Sequence, residues 1–427
     1  MSGQLFDRYF AYVEDTEPPL VFHRWSILSA LGALLGRQYY LPFGDFNIMP
    51  NMYTMLIGDP GTRKSTAIKL AQKIIASTGY DTFSAERTSK EKFLIDLEGV
   101  ESDDSGKVVV DKNQMMTNLF GTDAPGGDPR EMFVVADEFN VFVGSGNIEF
   151  LSLLGSLWDW DSPEKMFKQR LKTSRSVSIY QPTINILAGN THAGFADAFP
   201  PQAIGQGFLS RLILVYGEPS GKKITFPKKP SDEVRLNVIN TLLDIKAKVI
   251  GPATMSQQAE NMLKAIYETF VELEDARFKH YCTRRFTHLL KLCMLTAASN
   301  LRTNIGATDV LFANSLLSFT EHRMPNALGE YGKARNSEMA ARVIGLLSDA
   351  TAPMELTEIW KRTAAHTDLE KPEELLKIMV GLMQAGKVQY INKGPTNTRS
   401  GYLILRNRLK ESQVFVDFSL LKEAKGG

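Results

Sequence analysis

The stretch from Gly58 to Thr66 constrains this chain most, because its spacing fits the phosphate-binding loop pattern G-x-x-x-x-G-K-[ST] at every fixed position but one. An apolar run precedes it and an amphipathic run from Ala67 to Ser77 follows, which predicts a strand, a loop and a helix in that order. Such a loop surrounds a polyphosphate with backbone N–H groups, and the helix N-terminus adds partial positive charge. The predicted nucleotide-binding residues are Gly58, Asp59, Pro60, Gly61, Thr62, Arg63, Lys64, Ser65 and Thr66.

Two side chains of this loop have predicted roles on the phosphates. Lys64 would reach the β- and γ-phosphates, and the Ser65 hydroxyl would bind Mg²⁺. Arg63 stands where the pattern has its second glycine, a position that tolerates little bulk. We expect this departure to affect the geometry of the loop and to leave the strand and helix around it intact.

Length, charge and cysteine content limit the number of domains and the kinds of site and partner that we expect for this chain. The 427 residues predict roughly two to three domains. The net charge of +1 means that any binding of nucleic acid depends on a local basic patch. The two cysteines, Cys282 and Cys293, fit no zinc or disulfide framework. The N-terminus carries no signal-peptide pattern and no apolar run is long enough to span a bilayer, so we expect a cytoplasmic protein without a membrane partner.

Nearly unbroken apolar runs at Met132–Ala136, Ile184–Ala188 and Leu212–Tyr216 predict strands buried on both faces of a parallel sheet. Helical segments separate them, which predicts an α/β fold with three layers. From Asn336 onward the order becomes helix, helix, helix, hairpin, as in a winged-helix module. The predicted domains are an N-terminal helical segment (1–50), a P-loop core (51–218), a helical lid (232–330), a winged-helix-like module (336–408) and a tail (409–427).

Polar side chains follow two of the predicted strands. Asp137 and Glu138 end the run that begins at Met132, and ligands of open α/β sheets bind at that end of the strands. Asp137 would hold Mg²⁺, and Glu138 would orient and deprotonate the attacking water. Asn190 follows the run that begins at Ile184 and could hold that water and touch the γ-phosphate, although a simple turn asparagine is the alternative.

Basic residues mark two further candidate sites. Arg211 precedes the last apolar strand and could reach the γ-phosphate of a neighbouring subunit, with a surface or salt-bridged arginine as the alternative. A segment before the Ile184 strand alternates like a hairpin and could grip a phosphate backbone or could simply be solvated. Its predicted DNA-binding residues are Lys168, Arg170, Lys172 and Arg175.

With these elements assembled, the chain resembles the AAA+ ATPases, and more narrowly the superfamily-three helicases and related phage and plasmid replication ATPases. The resemblance covers about residues 20–216 and rests on the phosphate loop, the acid pair, Asn190, Arg211 and the basic hairpin. It implies an ATP- and Mg²⁺-dependent ring, usually a hexamer, with ATP between subunits and single-stranded DNA in the channel. The leading function is then a DNA helicase or translocase of a phage or mobile-element replication system.

Two rival functions stay open on the sequence. The chain could be an AAA+ loader or initiator that uses ATP as an assembly switch, or an ATP-binding regulator that recognises duplex DNA through its C-terminal module. That module could equally contact other replication proteins, because its third helix is acidic while its wing carries Lys387, Lys393 and Arg399. Arg284 or Arg285 could sense the γ-phosphate, but a helix-surface role is favoured.

Overall fold

The computed structural model describes residues 4–99, 101–102, 108–109, 129–162, 164–170, 176–200, 207–329, 335–348, 350, 352–363, 372–384, 388–391, 400–404 and 414–421. Clustering of contacts divides the chain into two units, residues 1–329 with 413–427, and residues 330–412. The first unit contains the central sheet and every candidate phosphate-binding residue. No helix within the described ranges is both long and apolar enough to cross a membrane.

The helices are numbered in chain order. They are α1 (Gln4–Tyr12), α2 (Leu20–Leu35), α3 (Lys64–Ala76), α4 (Lys90–Glu98), α5 (Phe139–Val143), α6 (Ile148–Leu157), α7 (His192–Ala198), α8 (Asp232–Lys248), α9 (Gln257–Thr269), α10 (Lys279–Cys282), α11 (Arg285–Ala298), α12 (Ala307–Leu328), α13 (Arg335–Ser348), α14 (Leu356–Thr363) and α15 (Pro372–Gln384). Helix α2 is apolar around almost its whole circumference and nearly fully buried, as expected of a helix enclosed by the core.

The strands are numbered in the same way. They are β1 (Tyr39–Phe43), β2 (Phe46–Ile48), β3 (Tyr53–Ile57), β4 (Glu101–Ser102), β5 (Val108–Val109), β6 (Glu131–Ala136), β7 (Met166–Arg170), β8 (Ser176–Tyr180), β9 (Thr183–Asn190), β10 (Ile213–Tyr216), β11 (Gly251–Pro252), β12 (Thr254–Met255), β13 (Asn304–Ile305), β14 (Val388–Ile391) and β15 (Gly401–Ile404).

The central sheet has the order β10-β3-β9-β6, and every neighbouring pair is parallel. Phe83 adds a single parallel bridge to Phe133 on the far side of β6. Strands β3 and β9 are buried along their whole length, as expected of inner strands of a parallel sheet. The predicted α/β fold with a parallel sheet is therefore confirmed, and it is compatible with a three-layer core.

The second unit packs its described helices α13, α14 and α15 with the antiparallel pair β14–β15 around one apolar core. Met339, Val343, Leu375 and Met379 are among the buried members of that core. The predicted order of three helices followed by a hairpin is confirmed. Lys387, Lys393 and Arg399 of the predicted wing lie outside the described residues.

The C-terminal segment 414–421 belongs to the first unit and packs along α12. The Asn314 side-chain amide donates to the carbonyl oxygens of Val414 and Phe415 at 3.1 and 3.0 Å. The buried Arg24 guanidinium donates to the Leu421 carbonyl oxygen at 2.6 Å. The chain therefore leaves the first unit after α12 and returns to that same helix.

Candidate nucleotide site

The predicted strand, loop and helix are present as β3, residues 58–63 and α3, so the flanks of the loop form as the sequence indicated. Gly61 has a φ of 89°, a backbone conformation that glycine adopts without strain and that other residues rarely adopt. Arg63 also lies in the left-handed region, with φ 62° and ψ 28°, and caps the N-terminus of α3. The loop thus keeps the backbone that a glycine would adopt at this position, while the arginine side chain points away from the loop and is 56% exposed.

The Lys64 side chain lies folded against the loop. Its ammonium donates to the carbonyl oxygens of Gly58 and Asp59 at 2.7 and 3.0 Å, and to the Thr62 hydroxyl at 3.2 Å. Burial lowers the pKa of Lys64, while the nearby carboxylates of Asp59 and Glu138 oppose that shift. A cation held at this point, next to the N-terminal amides of α3, suits a multiply charged anion.

The register of the sheet brings the acid pair and Asn190 next to the loop. Ile57, the last residue of β3, pairs with Asn190, the last residue of β9, and Ala136 pairs with Ala188. A methyl group added at Gly189 would lie 2.6 Å from the Asp137 carbonyl oxygen, so the chain after β6 passes directly beside β9. Loop, acids and amide therefore share one edge of the sheet, the carboxyl edge of its strands.

Asn190 offers an unused hydrogen-bond donor at this edge. Its side chain is 1% exposed, and its carbonyl oxygen Oδ1 accepts from the Thr191 backbone N–H at 3.1 Å. Among the described residues, its amide nitrogen Nδ2 has no acceptor. A buried donor without a hydrogen bond costs free energy, so an acceptor oxygen from a ligand or a water molecule would stabilise this side chain.

The residues predicted to bind Mg²⁺ supply oxygen ligands of the right chemistry. Ser65 offers a hydroxyl in the first turn of α3 and Asp137 a carboxylate after β6, and such hard oxygen donors suit Mg²⁺. Asp137 Oδ2 lies 2.6 Å from the Lys69 ammonium, a contact on the exposed side of α3 that sequence reasoning missed. Within the described ranges, no group of three or more His, Cys, Asp and Glu side chains could hold a metal without a ligand's help.

His192 lies between the phosphate loop and α12. Its Nε2 lies 2.9 Å from the Asn326 carbonyl oxygen in the last turn of α12, and its Nδ1 lies 3.5 Å from Asp59 Oδ1. Since a carbonyl oxygen can only accept, Nε2 carries the proton of that bond. His192 therefore holds the phosphate loop next to the helix from which the chain leaves the first unit.

Arg211 lies at the opposite, amino edge of the sheet, because it precedes β10 and β10 runs parallel to β3. Its guanidinium carbon is 6.0 Å from the centre of the Trp158 ring, and that of Arg284 is 5.7 Å away. The Lys291 ammonium approaches the same ring to 4.5 Å. We call Trp158, Arg211, Arg284 and Lys291 the tryptophan cluster.

Charge is unbalanced in the tryptophan cluster. Lys291 is fully buried and pairs with Asp159 at 3.0 Å. Burial, reinforced by the positive charge of Arg284, lowers the pKa of Arg211. In the described part of the chain, Arg211 Nε has no hydrogen-bond partner and Arg284 has no ion pair. Two neighbouring guanidiniums without a carboxylate of their own would be stabilised by an anion from another molecule.

Arg284 and Arg285 are adjacent in sequence but differ in burial and in the residues they contact. Arg285 is 5% exposed and pairs with Glu321 at 2.8 Å, with a further bond to Asn314 at 2.9 Å. It is therefore a structural residue, and the favoured expectation of a helix-surface role is wrong for Arg285. Arg284 lies with Arg211 at the amino edge, away from the phosphate loop of the same chain.

The predicted basic hairpin exists as the antiparallel pair β7–β8. Lys168 and Arg170 are exposed and, two positions apart, lie on one face, opposite Ser178 and Ser176. The other face carries the buried Val177 and Ile179. Lys168 pairs with Glu164 at 3.1 Å on the surface. Lys172 and Arg175, the remaining predicted DNA-binding residues, lie outside the described residues.

No protein-family model matches the chain, and no curated protein matches it. Function must therefore be argued from the site itself.

Proposed function

We propose that this chain is an AAA+-like ATPase that hydrolyses ATP with Mg²⁺ and works as a ring-forming DNA helicase or translocase in the replication of a phage or mobile element. One observation carries the ATPase part of the proposal. The glycine-bearing loop with its buried lysine, the paired acids after β6 and the unpaired Asn190 amide all lie at the carboxyl edge of one parallel sheet.

Each of these side chains has a distinct task in the proposed reaction. Lys64 leaves its loop carbonyls for the β- and γ-phosphates, and Glu138 takes a proton from the attacking water. Asn190 donates its free amide hydrogen to that water or to the γ-phosphate. Ser65 and Asp137 would hold Mg²⁺, which neutralises charge on the phosphates, and Lys69 must then share or release the Asp137 carboxylate.

Arg211 acts on the nucleotide of a second copy in this proposal. Arg211 lies at the amino edge of the sheet, and the phosphate loop follows the opposite end of β3. The five residues of β3 span about 16 Å at about 3.3 Å per residue. An arginine side chain of the same chain cannot cover that distance. Among the described residues, neither Arg211 nor Arg284 forms an ion pair, although Arg211 Nη1 donates to the Gly207 carbonyl oxygen at 2.5 Å. Cations of this kind support head-to-tail contacts, and such contacts close into rings when the rotation allows it.

The proposed DNA partner rests on the exposed face of the β7–β8 hairpin. Lys168 and Arg170 present cations there, and Ser176 and Ser178 add hydroxyl groups, all of which can contact a phosphate backbone. A winged-helix role for the second unit, in contact with DNA or with other replication proteins, is part of the same proposal and rests on its order of elements.

Release of inorganic phosphate by the purified protein tests the ATPase assignment. Lys64→Ala should lose both nucleotide binding and turnover, whereas Glu138→Gln should keep binding and lose about 100-fold or more in turnover, because it keeps the fold but lacks a base. Lys73→Ala, which removes an exposed cation from the same helix, is the matched control. Unchanged turnover in Lys64→Ala would refute the assignment.

Assays on DNA separate the helicase from its rivals. Strand separation on a forked substrate, with a closed ring around a single strand seen by electron microscopy, supports the helicase. Weak turnover without strand separation would favour a loader or initiator. A footprint on duplex DNA that persists when Lys168 and Arg170 are replaced would favour the duplex-binding regulator.

A further inference from the structure

The segment between β10 and α8 combines lysines with an exposed aromatic ring. Residues 219–230 contain four lysines and no acidic residue. The lysines form two pairs, at 222–223 and at 228–229, on either side of Phe226. All four are exposed, and Phe226 is 85% exposed, more than any other large apolar side chain in the described part of the chain. We call residues 222–229 the basic strip.

Hydrogen bonds to the segment between α1 and α2 hold the basic strip in place. The Glu17 carboxylate accepts from the Ile224 backbone N–H at 3.0 Å, and the Lys222 ammonium donates to the Glu14 carbonyl oxygen at 3.1 Å. Glu17 also accepts from Arg63 Nε of the phosphate loop at 2.6 Å. The strip therefore has a defined position beside the phosphate loop, at the carboxyl edge of the sheet.

The positive charge of the basic strip is hardly balanced within its own chain. Among the described residues, Lys222, Lys223 and Lys228 form no ion pair. The Lys229 ammonium lies 3.6 Å from Asp232, but the two side chains are 77% and 80% exposed, and such surface pairs contribute little. Asp232 also belongs to the first turn of α8, where an acid interacts favourably with the helix dipole. The lysines are thus available to a polyanion.

Packing within the fold does not explain the Phe226 side chain. An exposure of 85% leaves both faces of its ring open to solvent. Pro227 follows it, and a residue before proline is restricted to extended backbone conformations. Because Ile224 is hydrogen-bonded two residues earlier, little further ordering of this backbone is needed when a ligand binds. An open ring on a restrained backbone is suited to stacking against another flat group.

Cations on both sides of an open aromatic ring match the chemistry of a single-stranded nucleic acid. The phosphates of such a strand bind lysines, and its unpaired bases stack on aromatic side chains. Duplex DNA keeps its bases stacked inside the helix and would use the lysines alone. An acidic protein would also meet the lysines, but it carries no regular series of flat rings. The ring and the lysines together therefore favour a single strand.

We propose that the basic strip is a second contact surface for single-stranded nucleic acid, with a base stacked on Phe226 and phosphates on the flanking lysines. It is separate from the β7–β8 hairpin, because the hairpin precedes β9 and the strip follows β10, two parallel strands on either side of β3. The proposal goes beyond the proposed function, since binding at the strip needs neither ATP hydrolysis nor the hairpin.

The test measures fluorescence anisotropy of two labelled oligonucleotides of equal length, an oligothymidylate and an abasic strand, with the full chain and without nucleotide. Phe226→Ala should weaken binding of the oligothymidylate about tenfold and that of the abasic strand less than about twofold, because only the first has bases to stack. The melting temperature should stay the same, because the ring is 85% exposed. Phe226→Trp should keep the affinity and add tryptophan fluorescence that the bases quench.

The lysines should act on both oligonucleotides alike. Replacing Lys223 and Lys228 together by alanine should weaken binding of the oligothymidylate and of the abasic strand by the same factor. The slope of log affinity against log salt should fall by about 1.4, since each phosphate contact on a single strand contributes about 0.7. The same measurement at several salt concentrations gives this slope. An unchanged slope would overturn the assignment of phosphates to these lysines.

Phe46→Ala is the matched control, because Phe46 is 67% exposed at the β1–β2 turn and has no lysine beside it in sequence. A loss in Phe226→Ala no larger than in this control, or equal for both oligonucleotides, would overturn the stacking. Disappearance of the Phe226→Ala effect when Lys168 and Arg170 are also replaced would overturn a separate surface. Competition by polyglutamate as strong as by oligothymidylate would show a site for acidic protein instead.

Discussion

The two edges of the central sheet differ in how they use positive charge. At the carboxyl edge, the Lys64 cation is satisfied by loop oxygens and lies near the carboxylates of Asp59 and Glu138. At the amino edge, the guanidiniums of Arg211 and Arg284 lie together over Trp158, and neither forms an ion pair within the described residues. The lysine is thus balanced within its own chain, whereas the two guanidiniums rely on a neutral carbonyl oxygen and on the more distant charge of Asp159.

The largest expected effect is on ATPase activity, and mixing two variants, one altered at each edge of the sheet, tests whether the two edges work in different copies. Arg211→Ala and Glu138→Gln should each lose about 100-fold or more of the ATPase activity, because one lacks the neutralising guanidinium and the other the base. Mixed in equal amounts, they should regain activity, since about a quarter of randomly formed interfaces would combine an intact base with an intact arginine. Phosphate release from the mixture measures this.

Two outcomes would contradict the assignment of Arg211 to a neighbouring copy. Activity of the mixture no higher than the mean of the two variants would place Arg211 on the nucleotide of its own chain, and unchanged activity of Arg211→Ala alone would give it no role. A mixture of Lys64→Ala with Glu138→Gln is the control. Both lesions lie at the carboxyl edge, so this mixture forms no complete site and should stay inactive.

A smaller effect, on stability rather than activity, separates the two neighbouring arginines. Arg285→Ala leaves the buried Glu321 carboxylate without its guanidinium and should lower the free energy of unfolding by about 3–5 kcal/mol. Arg284→Ala removes a half-buried cation from a like-charged neighbour and should change stability by less than about 1 kcal/mol. Urea unfolding followed by tryptophan fluorescence measures both. Equal losses would show that the tryptophan cluster is structural.

The smallest effect concerns the hairpin. Lys168→Ala and Arg170→Ala should each weaken binding of single-stranded DNA a few-fold and lower the salt dependence of binding by about one ion, with basal ATPase activity unchanged. Fluorescence anisotropy of a labelled oligonucleotide at several salt concentrations gives both numbers. Lys264→Ala, which removes an exposed cation elsewhere on the first unit, is the matched control. Equal loss in the control would leave no specific role for the hairpin.

The sequence predicted those features that local patterns encode. The apolar runs at Met132, Ile184 and Leu212 became β6, β9 and β10 with ends shifted by one or two residues. Each run is apolar because its strand is buried on both faces, at the outer positions of the sheet (β6 and β10) as well as at the inner one (β9). The same reasoning placed Asp137 and Glu138 where burial stops, whereas Asn190 ends β9 while still buried.

The sequence did not predict contacts that depend on the order of strands or on distant segments. No local sequence pattern shows that β9 lies between β3 and β6, and without that strand order Asn190 cannot be placed beside the phosphate loop. Trp158, Arg211 and Arg284 meet through packing of three separate segments. Glu17 reaches Arg63 across 46 positions of chain. For Arg63, the pattern predicted a change in the geometry of the loop, whereas the structure keeps a left-handed backbone there and directs the side chain to Glu17.

The return of the C-terminal segment to α12 determines how the second unit can be removed. Ending the chain after Gly329 would delete 330–412 but would also remove the Leu421 carbonyl oxygen that accepts from the Arg24 guanidinium, a group that is 2% exposed. A short Gly/Ser linker from Gly329 to residue 414 would instead keep those contacts. It must run back along α12 to Asn314, about 22 Å at about 1.5 Å per residue. A stop codon and a spliced deletion at the same place would therefore yield two physically different proteins.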